Sequence, residues 1–290
     1  ISVNTNFLVL TPSAVQMNHE VAMLAIKQYS GYYKDLLEPL KADKEICMCA
    51  FLKAPDLLKS APLEVRKNKE LILDCIEAGK PEILKYVHQD LLSDREVVFA
   101  AVSRWSHLLE MKQLDHLRHD KEFMCAILEK TPYAFIYCGP KIRGDREIAM
   151  DMCKRDPNRL TDVSLQLKND KDFMLDAIGQ NYIALQFAST ELRQQEEFIR
   201  HALRQNPMCL QFCLFFATND KDLVLEAVTR NGLALDFAST SLKKDLDVVS
   251  AAVAQNVEAI AFVSDVFKED VTFARNAISS GYVGPWFSDE

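Results

Sequence analysis

Glycine is scarce, with eight in 290 residues, which argues against a sheet-rich, turn-rich or glycine-loop nucleotide fold. No run of about 18 apolar residues occurs, so a membrane-spanning helix is not expected. The eight cysteines lack the short paired spacings of a disulfide scaffold and point to an intracellular, reducing compartment. Positive charge is not in surplus either: the net charge is −8. Residues 1–159 balance 23 acids with 23 bases, whereas residues 160–290 carry 19 acids against 11 bases. Nucleic acid and anionic bilayers both require a concentrated basic surface, so neither is expected as the main partner. GxSxG, HExxH, Walker and GxGxxG patterns are all missing, and no cofactor is implied. The opening Ile1-Ser2-Val3 reads as the start of a fragment or processed product without a signal-peptide pattern.

What the sequence does contain is a repeat. Residues 170–193 (DKDFMLDAIGQNYIALQFASTELR) and 220–243 (DKDLVLEAVTRNGLALDFASTSLK) agree at 13 of 24 positions. The underlying period is 25: Ala177, Ala202, Ala227, Ala252 and Ala277 are evenly spaced, as are Asn181, Asn206, Asn231 and Asn256. Eleven units begin at Asn18, Asp43, Asn68, Asp94, Asp120, Asp145, Asp170, Gln195, Asp220, Asp245 and Asp270, with 26-residue spacings on either side of Asp94.

Each unit has a physical reading. Counting its first residue as position 0, Asp or Asn stands there in ten of eleven units, suited to accept a backbone N–H as a helix N-cap. An acid at position 2, such as Glu45, Glu96 or Asp222, complements the helix dipole. Apolar residues at positions 3, 4, 7 and 8, as in Leu223, Val224, Ala227 and Val228, form one face of a helix. The frequent Ala at position 7 predicts a close helix crossing. Asn or Gly at position 11 predicts a left-handed stop, reinforced by Pro132, Pro157 and Pro207. A shorter apolar segment, Ile183–Phe187 or Leu233–Phe237, predicts a second helix of about two turns. Two such short helices cannot bury both apolar faces alone, but stacked neighbours can. The expected architecture is an all-α, elongated and curved α-solenoid of about eleven 25-residue two-helix repeats over residues 18–281. An N-terminal cap segment (1–17) and a C-terminal tail (282–290) flank it.

The DKD-x-V-L-x-A-V-x-x-N-G-x-A-L-x-F-A-S pattern of residues 220–239, echoed in 170–189, resembles a tandem helical-repeat family. That family is catalogued as a domain of unknown function and is frequent in protist, algal and intracellular-bacterial proteins. The resemblance is close over about 165–265 and weakens toward Asn18. It implies a helical array with a binding role and brings no catalytic residues.

The candidates for chemistry are weighed against this register. Cys209 and Cys213 have a spacing usable by a metal, but sister units place Ala184 and Ala188, or Ala234 and Ala238, there, so packing is the reading. His116 and His119, flanked by Asp115 and Asp120, lack a third ligand and read as a surface turn. The recurring acids read as structural. Trp105 departs from the repeat, and residues 112–159, with ten bases and eight acids, are the most basic stretch. A protein-binding surface is therefore expected at Trp105, His116, Arg118, Lys121, Tyr133, Lys141, Arg143, Arg146, Lys154 and Arg155. The functional expectation is a non-catalytic scaffold, adaptor or accessory subunit with a protein partner and no metal. Alternatives are an enzyme or host-directed effector with a site near Cys125, His116 and His119, or a fixed subunit docked through Gly284-Pro285-Trp286-Phe287.

Overall fold

The computed structural model describes residues 17–267 and 269–281, and these contain helices and turns with no strand. The N-terminal segment up to residue 16 and the expected tail, with its Gly284–Phe287 run, lie outside the described residues. Every unit begins as its sequence requires. The side chains of Asn18, Asp43, Asn68, Asp120, Asp170, Asp220, Asp245 and Asp270 each accept the N–H three residues on, and Gln195 makes no such bond. An α-helix of eight to ten residues follows the cap, as in Lys171–Gln180 or Glu196–Gln205. It buries positions 3, 4, 7 and 8, for example Phe173, Met174, Ala177 and Ile178.

The expected left-handed stop at position 11 occurs where that residue is glycine, at Gly79 and Gly281, and is overturned where it is asparagine. Asn181, Asn206, Asn231 and Asn256 are extended, with φ between −146° and −156°. Each instead accepts the N–H two residues on, from Ile183, Met208, Leu233 and Glu258, and so caps the next element. That element is a 3-10 helix, Tyr182–Phe187 in the repeat starting at Asp170. At about 2 Å per residue, six residues return the chain along most of a ten-residue α-helix, which rises about 15 Å. Its buried pair, Ala184 and Leu185, packs against the long helix.

A third element corrects the two-helix description. A one-turn helix, such as Leu165–Lys168 or Thr190–Arg193, closes most repeats and buries one side chain at position 22. In the repeats starting at Asp220 and Asp245 it is a 3-10 turn, Leu242–Lys244 and Asp265–Phe267. Ser164, Ser189 and Ser239 at position 19 cap this turn by accepting from Leu167, Leu192 and Leu242. Their own N–H groups donate to the previous repeat, at Arg143, Lys168 and Thr218. One backbone hydrogen bond thus stitches each of these repeats to its neighbour.

Both irregular spacings have a structural site. In the repeat starting at Asn68, Gly79 takes φ +87° while Lys80 N–H reaches the Cys75 carbonyl and Gly79 N–H that of Ile76. This is a Schellman stop, where the left-handed conformation does occur. In the repeat starting at Asp94 the extra residue is absorbed by an added 3-10 turn, Lys112–Leu114.

The chain divides into two compact units, at Gly139 and Pro140. In each, successive long helices pack on one another and successive 3-10 helices form a second layer, so each is a stack of repeats with a continuous apolar core. No polar or charged residue is fully buried among the described residues.

Ala227 is fully buried where the helix Lys221–Val228 meets Leu246–Gln255. Ala227→Leu is expected to destabilise by about 1–3 kcal/mol, because added methylenes must displace the neighbouring helix. Denaturant unfolding checks this; an unchanged midpoint would mean that the position-7 alanines do not set the helix spacing.

Candidate functional site

The ten residues of the expected surface fall in both units. In the first, Trp105 is 42% exposed, sits at position 11 and packs edge-on against His107 at 4.5 Å. Tyr133 is 64% exposed on the 3-10 helix Pro132–Tyr137. His116 and Lys121 are exposed. Arg118 is structural: its Nε donates to the Tyr137 carbonyl at 2.8 Å and its Nη1 to Asp115 at 3.2 Å.

In the second unit, Lys141 and Lys154 are exposed. Arg143 buries its Nε at position 23, as do Arg66 and Arg193 in their repeats. Lys168 and Lys243 occupy that position too and donate to the carbonyls of Thr161 and Asp236, both at 2.7 Å. The lysine there therefore serves the carbonyl end of a 3-10 helix, much as cations suit helix C-termini, whereas the buried Nε atoms of Arg66, Arg143 and Arg193 have no hydrogen-bond partner. Arg146 pairs with Asp170 at 3.4 Å and Asp176 at 2.7 Å, and Arg155 pairs with Asp151 at 2.9 Å. Arg146 and Lys154 share an open groove of about 610 Å³ with Glu147, Met150, Asp151, Asp176 and Gln180. Arg118 and Arg146 are thus committed to joining repeats, while Arg155 pairs within its own helix.

Arg146 belongs to a ladder that sequence reading overlooked. The base at position 1 reaches the acids at positions 0 and 2 of the following repeat: Lys69 to Asp94 and Glu96, Arg95 to Asp120, Lys171 to Glu197, Lys221 to Asp245 and Asp247. The signal was present, since a base follows the cap in most units.

A second feature was also missed. Position 5 projects half-buried from the long helices as Met23, Met48, Leu73, Phe99 and Cys125 in the first unit. In the second unit it reads Met150, Leu175, Arg200, Leu225 and Ser250. Lys130 lies 5.0 Å over the Phe99 ring.

The residues of the alternative enzymatic site are divided between elements. Cys125 lies on the long helix Lys121–Lys130, and His116 and His119 on or beside the preceding one-turn helix Asp115–Arg118. Among the described residues no three His, Cys, Asp or Glu side chains converge as a metal site. No helix among them is long and apolar enough to cross a membrane.

Four segments, residues 68–111, 145–193, 180–214 and 220–268, match the family model described as Domain of unknown function (DUF4116), and they cover more than half of the chain. The chain belongs to this family. Three of the four DUF4116 matches open on a repeat's cap residue, at Asn68, Asp145 and Asp220, and span about two repeats each. Searches of curated proteins and of solved structures find no match.

Two expectations follow. Among the ladder acids, the Lys69 ammonium holds Asp94, and the Lys221 ammonium Asp245, below the ordinary carboxylate range; the Phe123 N–H and then Arg95 do so for Asp120. A lowered folded pKa gives stability that is complete above about pH 4 and is lost as pH falls through the folded value. The variant Lys69→Met/Lys221→Met should be less stable than the wild type at pH 7, and the gap should close below about pH 4. Thermal melts across pH check this, and a gap persisting in acid would remove the ladder as its cause.

The second concerns thiols. Burial raises the pKa of Cys209 and pushes Cys213 up to about 12, while Cys213 Sγ donates to the Cys209 carbonyl at 3.4 Å. Cys209→Ala/Cys213→Ala should cost no more than about 1–2 kcal/mol, since Ala fills both places in sister repeats. Stoichiometric zinc bound by the wild type and lost in this variant would overturn the packing assignment.

Proposed function

We propose that this DUF4116 chain is a non-catalytic scaffold, adaptor or accessory subunit that holds a protein partner along its repeats. The observation that carries this reading is the contrast between positions. Positions 0, 3, 4, 7, 8, 14, 15 and 22 keep the same job in repeat after repeat, whereas half-exposed position 5 changes chemistry along each stack. A rigid frame with a variable exposed face suits recognition of an extended partner. In the first unit the run Met23, Met48, Leu73, Phe99 and Cys125 offers a soft apolar strip suited to an amphipathic helix, because methionine adapts to irregular partners. Trp105 and Tyr133, with Lys141 and Lys154 in the second unit, are the further exposed candidates. The eight cysteines, all free, support residence in a reducing compartment.

The test uses the full chain as bait in extract of its native cell, followed by chemical cross-linking. A stoichiometric protein partner should cross-link beside position 5. It should be lost from Met23→Glu/Phe99→Glu, whose circular dichroism should stay close to the wild type because both sites are partly exposed and Lys130 can pair the new carboxylate where Phe99 gives up its edge contact with Phe123. Substrate turnover abolished by Cys125→Ala or His116→Ala would instead establish the enzymatic alternative.

A further inference from the structure

The apolar positions 3, 4, 7 and 8 are all buried in nine repeats, from the one starting at Asp43 to the one starting at Asp245. The first and last described repeats are the exceptions, and they open on opposite sides. In the repeat starting at Asn18, Ala22 and Ile26 at positions 4 and 8 are buried, but Val21 and Ala25 at positions 3 and 7 are half-exposed. In the repeat starting at Asp270 the order is reversed. Phe273 and Ala277 at positions 3 and 7 are buried, whereas Ala274 at position 4 is half-exposed and Ile278 at position 8 is 61% exposed. Each long helix thus turns positions 3 and 7 toward the repeat before it and positions 4 and 8 toward the repeat after it. The first and last described repeats therefore present the two halves of the boundary that successive repeats close elsewhere.

We propose that the chain associates head to tail with a second copy, the helix Val271–Ser279 of one copy packing on the helix His19–Gln28 of the next as one more repeat boundary. The rims of the two faces match. Within the chain, position 1 lies against positions 0, 2 and 6 of the following repeat, as Lys69 does with Asp94 and Glu96 and Arg146 with Asp176. Position 5 lies against position 6, as Arg200 does with Glu226. At the contact between copies, position 1 holds Val271 in place of a ladder base, and it meets uncharged Asn18 and Leu24. Val271 is 71% exposed and Leu24 64%. Exposed Arg275 at position 5 meets exposed Glu20, one helical turn before Leu24. Burial of Val21, Leu24, Val271 and Ile278 drives the contact, and the Arg275–Glu20 pair sets its register.

The internal boundaries are closed by a capped long helix, and neither flank of the chain offers one. Residues 1–16 and 282–290 are broken by Pro12 and Pro285, and neither contains a cap followed by apolar residues at positions 3, 4, 7 and 8. A second copy does offer it. Because the two faces differ, the contact is heterologous, and a pair still carries one open face at each end, so association runs past the dimer. This contact is separate from the protein-binding surface above and stands or falls without it.

The test is sedimentation of the full chain over a wide range of concentrations. The mean mass should climb with concentration to more than twice that of one chain. Leu24→Glu and Ile278→Glu, both at exposed sites, should keep the wild-type circular dichroism, and each should sediment as a monomer. Mixed in equal amounts, the two variants should form a one-to-one dimer and nothing larger, since each retains the face that the other has lost. A wild type that stays monomeric at every concentration would overturn the proposal, the flanking residues then covering both faces. So would association that survives either introduced charge, or a mixture of the variants that remains monomeric. A wild-type dimer lost in only one of the two variants would establish a symmetric contact at that face instead.

Discussion

The whole arrangement depends on one carboxylate with two obligations. Asp120 accepts the Phe123 N–H at 2.9 Å, which starts its own helix, and the Arg95 guanidinium at 2.6 Å, which belongs to the repeat before it. Asp94 does the same with the Glu96 and Val97 N–H groups and with Lys69. The residue that fixes where a helix begins is therefore also the residue by which the previous repeat finds its register. Each exposed ion pair contributes little alone. Repeated at successive boundaries, the pairs favour one sliding position of helix on helix, while the apolar positions 3, 4, 7 and 8 supply most of the cohesion.

The same economy recurs on the opposite edge. Ser189 caps its own one-turn helix through Oγ and joins the previous repeat through its backbone N–H. Arg118 reaches forward to the Tyr137 carbonyl, whereas Lys168 reaches back to Thr161 within its own repeat. Arg118 and Lys168 thus use their different reach to meet the same need, a positive group at the carbonyl end of a 3-10 helix. A basic residue read from sequence as a binding feature can therefore be a fastening, and Arg118 and Arg146 show that it is.

The parts of the fold visible in the sequence are those governed by a local rule. The Asp or Asn cap, the apolar positions and the alanine at position 7 each answer to helix geometry, and the period made them readable from Asn18 to Asp270. The misreadings arose where two local solutions compete. Asn at position 11 tolerates the left-handed conformation, but it can also accept the N–H two residues on. Asn181 takes the second option because a Tyr182–Phe187 3-10 helix begins there and needs a cap. The one-turn helix escaped notice because it contributes a single buried side chain per repeat. Yet Val65, Ile142, Leu167, Leu192 and Leu242 recur in register, and that recurrence was available to find it. The candidate surface was less legible. Charge counted along residues 112–159 does not reveal which bases are spent on neighbouring repeats, because their partners lie a full period away, as Asp170 and Asp176 do from Arg146.

A repeat protein supplies its own control for each residue, since sister positions report what the frame alone demands. At position 7 nine of eleven sisters are Ala or Cys, with Ile127 and Met152 the exceptions, and a close helix crossing explains the preference. At position 23 most carry Arg or Lys, and the carbonyls of the 3-10 helices explain the lysines Lys168 and Lys243. At positions 19 to 21 the sisters differ in capping, with serine at Ser164, Ser189 and Ser239 but Leu37 and Pro62 elsewhere, yet each keeps at least one polar residue, which Leu214-Phe215-Phe216 does not. Departures of this kind separate two sorts of surface residue that exposure alone does not distinguish. Leu165 is 81% exposed, yet it stands beside Gln166 in a turn that keeps Ser164 and Lys168, so the frame is intact around it. At Phe215 the neighbouring position 21 is Phe216 and position 23 is Thr218, so neither the polar neighbour nor the basic side chain that accompanies Leu165 is present.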